Sequence, residues 1–502
     1  MENMVMFESL NIDRAIQLAA TYNFMHGHGI LLSHASVSNA LNNIYYPFFG
    51  WPPGFTFVLL PFYYFIPDLL FVNKLVDCIF IFLFFLTSMK LIKRLFPENR
   101  KEIFGLFCLL NSFSFSPFHY FTSTDLYALT FLVVAFIFIY DMLSNVRTGA
   151  SRSFLISLFL FLSALTRFAY LPLEIIIPLT LIVMARIQKN RMLFRDSCIT
   201  LMLSTAFCAS LYIFQQLYYG SIYLDKVHFA LHPEHLLQFD PFLFRSFFFT
   251  EPLETMGAKT GILHLLINAF QWTIFVFILY YFVRYLLSGN RERSPIYFFN
   301  VIVFIVMVTI NLMLIALSLT TPSQNFALNE SWTYVAETRY FGPMLFFAQL
   351  FVCMAALTYK KKWLAFSFRS LAIFSFTVSL IYFSFKHYKV MVKNQREGTM
   401  EYDARNVFSL YRKLSLMEKT HGTQLISTTN DLASKLSILA GCIPVSNYDS
   451  LIERDLTSIH NKSILVECNR PPTIRQLAFI KNNSASYVFS IAEKDWYKTD
   501  LK

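Results

Sequence analysis

The sequence predicts a mainly α fold, a polytopic transmembrane helix bundle of about 10 to 11 spans with a small external C-terminal α/β domain. Composition is the first observation behind this. Of 502 residues, 56% are hydrophobic and 18% aromatic, while 15% are charged, against roughly 25% in soluble domains. The second observation is a series of apolar stretches, most of them near the roughly 20 residues that a helix needs to cross a bilayer. The third is a change of composition near Lys386, after which polar residues and strand-like alternation take over.

The chain opens with Asp13-Arg14-Ala15-Ile16-Gln17-Leu18-Ala19. Polar and apolar residues alternate there at helical spacing, so a helix with one face on the membrane and Asp13 at its start is expected. A Gly-rich turn, His26-Gly27-His28-Gly29, follows. Trp51-Pro52-Pro53-Gly54 is a rigid extended corner, because each proline fixes its own φ and restricts the residue before it. Phe55 to Val72 is apolar but interrupted by Pro61 and Pro67, which marks an external juxtamembrane or re-entrant segment.

Spans are then expected at approximately Lys74 to Leu95, Ile103 to His119, Leu126 to Leu143, Phe154 to Thr166 and Tyr170 to Ala185. Further spans run approximately from Ser197 to Leu217, Ile262 to Leu287, Ile296 to Leu319, Tyr340 to Leu357 and Trp363 to Phe385. The two around Arg167 are short, which suggests a hairpin that does not fully cross or that carries its tip in a cavity. In the polar tail, Gln424 to Thr429, Ile464 to Glu467 and Ser486 to Ser490 read as strands, with a helix over Asn430 to Ala440. Three regions result: 1–73 as an external region, 74–385 as the membrane domain with an external loop at 218–261, and 386–502 as the α/β domain.

Charge fixes the expected orientation. Lys90, Lys93, Arg94, Arg100 and Lys101, then Arg147 and Arg152, Arg186 to Arg195, Arg284 to Arg293, and Lys360 to Lys362 occupy alternate gaps, which are therefore cytoplasmic. The other gaps collect Asp125, Asp225, Glu234, Asp240, Glu251, Glu254, Glu330 and Glu337 and face outward. The expected location is the plasma (inner) membrane, with the C-terminal domain extracytoplasmic. An external start needs either a first helix upstream of Met1 or a first hairpin that inserts without one. The net charge of +11 is what multi-span topology requires, and no nucleic-acid partner is expected. Five of the seven cysteines lie in apolar spans. Cys442 and Cys468 share the tail, as a disulfide in an oxidising compartment or as two buried free thiols.

The order Asp13, His26-Gly27-His28-Gly29, Tyr45-Tyr46-Pro47 and Trp51-Pro52-Pro53-Gly54 resembles the first external loop of membrane glycosyltransferases of the GT-C fold. The similarity is to the branch that transfers mannose to protein or aminoarabinose from polyprenyl-phosphate donors. Ser123-Thr124-Asp125-Leu126, Leu165-Thr166-Arg167, Glu337-Thr338-Arg339-Tyr340-Phe341 and Gln424 to Asn430 resemble later family features in the same order. The chain departs from the family in showing no helix before Asp13 and in having Arg14 where an acidic pair is common; Glu8 is a possible substitute base.

The resemblance implies an inverting transferase of hexosyl or pentosyl type. Asp13 is its general base, and Arg339, Arg167, Tyr340, Asp125, Glu337 and His28 contact donor phosphate or acceptor. Its partners are a polyprenyl-phosphate sugar, membrane lipids, and a lipid, polysaccharide or protein acceptor. No cofactor is assigned, and dependence on a divalent metal ion, for which Asp125 is a candidate ligand, is left open. Each assignment has a structural alternative: a helix cap for Asp13 and Asp125, interfacial snorkelling for Arg339, an ion pair with Glu174 for Arg167, and an incidental turn for the histidines. A flippase-like lipid or sugar transporter and a non-catalytic membrane scaffold are the competing functions.

Overall fold

The computed structural model describes residues 12–36, 39–47, 52–114, 124–144, 149–220, scattered helical positions within 269–284, 295–320, 342–358, 362–374 with 376, 377 and 381, 404–421, 425–429, 431–445, 462–491 and 494–501. In chain order the elements begin with α1 (Ile12–Met25), β1 (Leu31–Ser36), β2 (Asn39–Pro47), α2 (Gly54–Tyr63), α3 (Leu69–Leu95) and α4 (Arg100–Ser114). The bundle continues with α5 (Asp125–Leu143), α6 (Ala150–Thr166), α7 (Leu173–Ile187), α8 (Arg191–Tyr219), α9 (Pro295–Thr320) and α10 (Gly342–Thr358). Last come α11 (Ala404–His421), β3 (Leu425–Ser427), α12 (Asp431–Leu439), β4 (Ile443–Pro444), β5 (Lys462–Asn469), α13 (Ile474–Asn482), β6 (Ser486–Ile491) and β7 (Lys494–Leu501).

Two compact units result. One joins Met1–Cys78 and His119–Ser123 with Lys386–Lys502, and the other comprises Ile79–Phe118 and Thr124–Phe385. Among the described residues, Leu69–Leu95, Asp125–Leu143, Phe168–Ile187 and Arg191–Tyr219 are long and apolar enough to cross a membrane, while Gly54–Tyr63, Ala150–Thr166 and Pro295–Ile310 are shorter apolar helices. The span expected over Ile262 to Leu287 lies largely outside the described residues. The second arm of the hairpin at Arg167 is long enough to cross, as the second of the two alternatives allows, with Pro178 accommodated inside α7 without ending it.

In the second unit α5 is the centre. Leu129, Leu132, Val133, Phe136 and Ile139 are fully buried, as befits a helix that is apolar on every side. It packs on α6, α9 and α10, with Phe136 edge-on to Phe299 and Phe347. α8 instead exposes Met202, Ile213 and Leu217, the outward apolar surface expected of a helix against lipid. At the end of α5 away from Asp125, Asp141 receives Arg152 at 2.8 Å and also contacts Arg94. Asp196 there accepts the Gly149 N–H at 2.7 Å and pairs with Arg195. These carboxylates tie the ends of α3, α5, α6 and α8 together by charge-assisted hydrogen bonds.

In the first unit a five-stranded sheet runs in the order β4-β3-β5-β7-β6. β3 is parallel to β4 and β5, and β7 is antiparallel to both its neighbours. Leu425, Ile464, Val466 and Cys468 face α13, whose Phe479 completes the core. The sequence reading placed β3, β5, β6 and α12 and left β7 unassigned. α1 packs on α12 and the β1–β2 hairpin. Gly441, at φ +75°, lets α11 and α1 close in, since a Cβ there would meet Glu418 Cγ at 3.1 Å and the Tyr22 hydroxyl at 3.4 Å.

Cys442 and Cys468 are both buried and form no disulfide, which decides the question of their pairing in this structure. Burial, with Glu467 and Asp495 beside it, pushes the Cys468 thiol up to about 12. Maleimide is therefore expected to leave both tail cysteines unmodified in the folded protein and to label them after denaturation in dodecyl sulfate, as read by peptide mass spectrometry. Rapid labelling of Cys468 without denaturant would contradict the described packing.

Candidate functional site

The sequence-predicted residues fall on both units. Asp13 is the second residue of α1, and its side chain lies outside the described residues. The helix that carries it differs from expectation. Arg14, Ala15, Gln17, Leu18, Ala19, Ala20 and Thr21 are all buried, so α1 is an interior helix rather than one lying with a single face on the membrane.

Long-range partners make this burial tolerable. Arg14 Nη2 lies 2.8 Å from Asp77 Oδ1, and the guanidinium stacks over Phe55 with its carbon 4.5 Å from the ring centroid. Thr21 and Thr56 hydroxyls meet at 2.9 Å, and Asn23 Nδ2 donates to the Leu31 carbonyl at 2.8 Å. The phenol of Tyr22 is pushed up to about 12 by burial and then by the neighbouring Tyr63 and Glu418.

His26 and His28 sit on the exposed turn that ends α1. Gly27 and Gly29 take φ values of +80° and +82°, which explains the glycines by backbone geometry. His26 stacks on Tyr22 at 3.9 Å between centroids and bonds the Tyr22 carbonyl through Nδ1 at 2.8 Å. The backbones of Tyr45 and Tyr46 lie on β2, opposite Ser33 and Leu32.

In the other unit the structure brings two predicted residues together. Arg167 Nε lies 3.0 Å from Asp125 Oδ1, with the Arg167 side chain 8% exposed and that of Asp125 fully buried. Local geometry sets up the pair. α6 ends at Thr166, and Arg167 is extended (φ −152°, ψ 114°) before a short 3₁₀ turn at Phe168–Tyr170 leads to α7. Asp125 is the first residue of α5 and follows the cap residue Thr124, so its charge also favours the positive helix end. The Thr124 hydroxyl donates to the Thr166 carbonyl at 2.7 Å, and that of Ser163 to the Ala128 carbonyl at 2.8 Å, pinning α6 beside α5.

Arg167 is therefore paired with Asp125, and the alternative ion pair with Glu174 is not the one formed. Glu174 is buried and accepts from Cys208 Sγ at 3.1 Å. The side chain of Tyr170 is buried next to the pair, with no hydrogen-bond partner for its hydroxyl among the described residues.

Glu337, Arg339 and Tyr340 lie outside the described residues. Among the described residues, no group of three or more His, Cys, Asp or Glu side chains could hold a metal ion. Asp125 meets a guanidinium instead of a second ligand. The sequence reading missed Asp77, although an acidic residue inside an apolar run is a recognisable signal for a buried partner.

No family model and no curated protein matches the sequence. Among solved structures, the chain is similar to ArnT from Cupriavidus metallidurans bound to undecaprenyl phosphate, at 13% identity over 96% of this chain and 93% of that one, with a TM-score of 0.52. Apo ArnT from the same organism aligns over the same shares at 13% identity with a TM-score of 0.44. The first comparison establishes the fold. The chain has the GT-C architecture expected from its sequence, mostly helical with a small C-terminal sheet.

Proposed function

We propose that the chain is an integral membrane glycosyltransferase that moves a sugar from a polyprenyl-phosphate donor to a glycolipid, polysaccharide or protein acceptor at the external leaflet of the plasma membrane. The fold shared with ArnT over nearly the whole of both chains carries this reading, because that structure holds undecaprenyl phosphate. Fold alone does not specify chemistry. Further support comes from the buried Arg167–Asp125 pair, an ionisable cluster of the kind that marks substrate paths in membrane bundles.

In this reading Asp13, in the first turn of α1, removes the proton from an acceptor hydroxyl. The acceptor oxygen attacks the anomeric carbon from the side opposite the phosphate. That bond breaks with its electron pair going to the lipid phosphate, so configuration inverts. Arg339 and Arg167 stabilise the phosphate as its charge grows, each offering paired donors. For Arg167 this means giving up Asp125 at least in part, so the pair holds the guanidinium in position until a phosphate competes for it. Tyr340, Glu337, Asp125 and His28 complete the substrate contacts.

Transfer from radiolabelled polyprenyl-phosphate sugars to a membrane lipid extract tests the proposal. Native protein is expected to transfer label, and Asp13→Asn to lower the rate about 10²- to 10⁴-fold while the protein remains inserted and monodisperse. Full activity of Asp13→Asn would remove the proposed base. No transfer by native protein from any donor tried would sink the enzymatic reading.

A further inference from the structure

The α/β domain carries an outward apolar stripe that its own core does not use. α13 buries Gln476 and Phe479 on its inner side. Its outer side shows Ile474 at 87% and Leu477 at 52% exposure, followed by exposed Ala478 and Lys481. These positions are spaced i, i+3, i+4 and i+7, which is one helical face. A nine-residue helix in a small domain normally presents polar residues there.

The stripe is held rigidly. The Thr473 hydroxyl accepts the Gln476 N–H at 3.3 Å, and Gln476 Oε1 accepts from the backbone N–H of Thr473 at 2.9 Å and of Asn469 at 3.1 Å. Arg470, Arg475 and Lys481 rim the stripe and are exposed. From Cys468 to Ala492 the sequence has no Asp or Glu. A surface with apolar side chains at its centre and, among the described residues of this segment, cations at its edge complements a layer that is anionic above and hydrocarbon below.

We propose that the outer face of α13 docks on the bilayer surface, with Ile474 and Leu477 entering the interface and Arg470, Arg475 and Lys481 meeting anionic headgroups. The chain carries helices fit to span a membrane, so lipid is always within tethered reach and a modest surface is enough to hold the domain down. The proposal stands apart from sugar transfer and survives or fails without it.

The test uses the full chain in nanodiscs, with the photo-crosslinker p-benzoylphenylalanine at position 474 or 477, and at exposed Thr420 on α11 as the control. In discs of phosphatidylglycerol and phosphatidylcholine, irradiation is expected to give lipid adducts at 474 and 477 and few at 420. Phosphatidylcholine alone, or Arg470→Gln with Arg475→Gln and Lys481→Gln, is expected to lower the yield by at least about fivefold, the effect of a single basic side chain near an anionic surface. Adducts to protein alone, including a second copy of the chain, would overturn the proposal. So would lipid yields equal to those at 420, or yields indifferent to headgroup charge.

Discussion

Arg167→Ala is expected to destabilise the folded chain by about 3–5 kcal/mol, the cost of leaving a buried charge without its partner. Asp125 is fully buried and its described cation is Arg167, 3.0 Å away. Asp125→Asn should cost a similar amount, since the buried guanidinium then loses its described carboxylate. The double variant Arg167→Met with Asp125→Leu should recover most of the loss, because apolar replacement of a whole buried pair is often close to neutral. Dodecyl sulfate titration of the purified protein reads these differences.

The same set separates two roles for the arginine. If Arg167 only ties α6 to α5, transfer returns together with stability in the double variant. If either member of the pair also serves the substrate, as the proposed roles of Arg167 and Asp125 require, stability returns and transfer stays down by about 10² or more, the usual scale for losing a charged transition-state contact. Arg167→Lys should not rescue, since an ammonium lacks the planar paired donors.

Arg14→Met carries a comparable expectation from the other unit, a loss of about 3–5 kcal/mol. Arg14 is 1% exposed and its guanidinium is shared between the Asp77 carboxylate and the face of Phe55. Removing it takes from Asp77, buried within the helix Leu69–Leu95, its described hydrogen-bonded ion pair, with Lys74 of the same helix still near it. The residue before Arg14 is the proposed base, so transfer should fall along with stability. Arg14→Met combined with Asp77→Leu should restore both. Unchanged dodecyl sulfate resistance in Arg14→Met would mean that the pair is idle.

The sequence made most of the membrane helices legible because hydropathy is a local property. Span by span, the apolar runs at Leu126 to Leu143 and Ser197 to Leu217 match α5 and α8 closely. Alternation likewise placed β3, β5 and β6. α1 was read as a helix but in the wrong surroundings. Its polar residues suggested a surface, whereas Arg14 and Thr21 are satisfied by Asp77 and Thr56, partners that no local pattern announces. β7 escaped notice because Lys494-Asp495-Trp496-Tyr497-Lys498-Thr499 looks solvated, yet it is an interior strand paired on both edges, with Trp496 fully buried.

The candidate site was legible in part for the same reason. Arg167 and Asp125 stood out as charges at the ends of apolar runs, and their meeting depends on how α5 and α6 pack. The choice of Asp125 over Glu174 is a matter of helix phase. Glu174 is turned toward Cys208 on α8, which spacing along one strand of sequence does not reveal.

The seating of α1 against α12 and, near Gly441, beside Glu418 of α11 has a consequence for biogenesis. Those partners follow it by about 400 residues, and at 5–20 residues per second the ribosome needs roughly 20–80 s to supply them. Throughout that interval the membrane helices can insert, while the segment bearing Asp13 waits without its final neighbours. A translation product that stops inside the bundle would therefore hold α1 through Asp77, Phe55 and Thr56, without the contacts of α11 and α12. Membrane insertion and the final seating of α1 become separate events in the life of each molecule, with the second governed by the segment that carries α11 and α12.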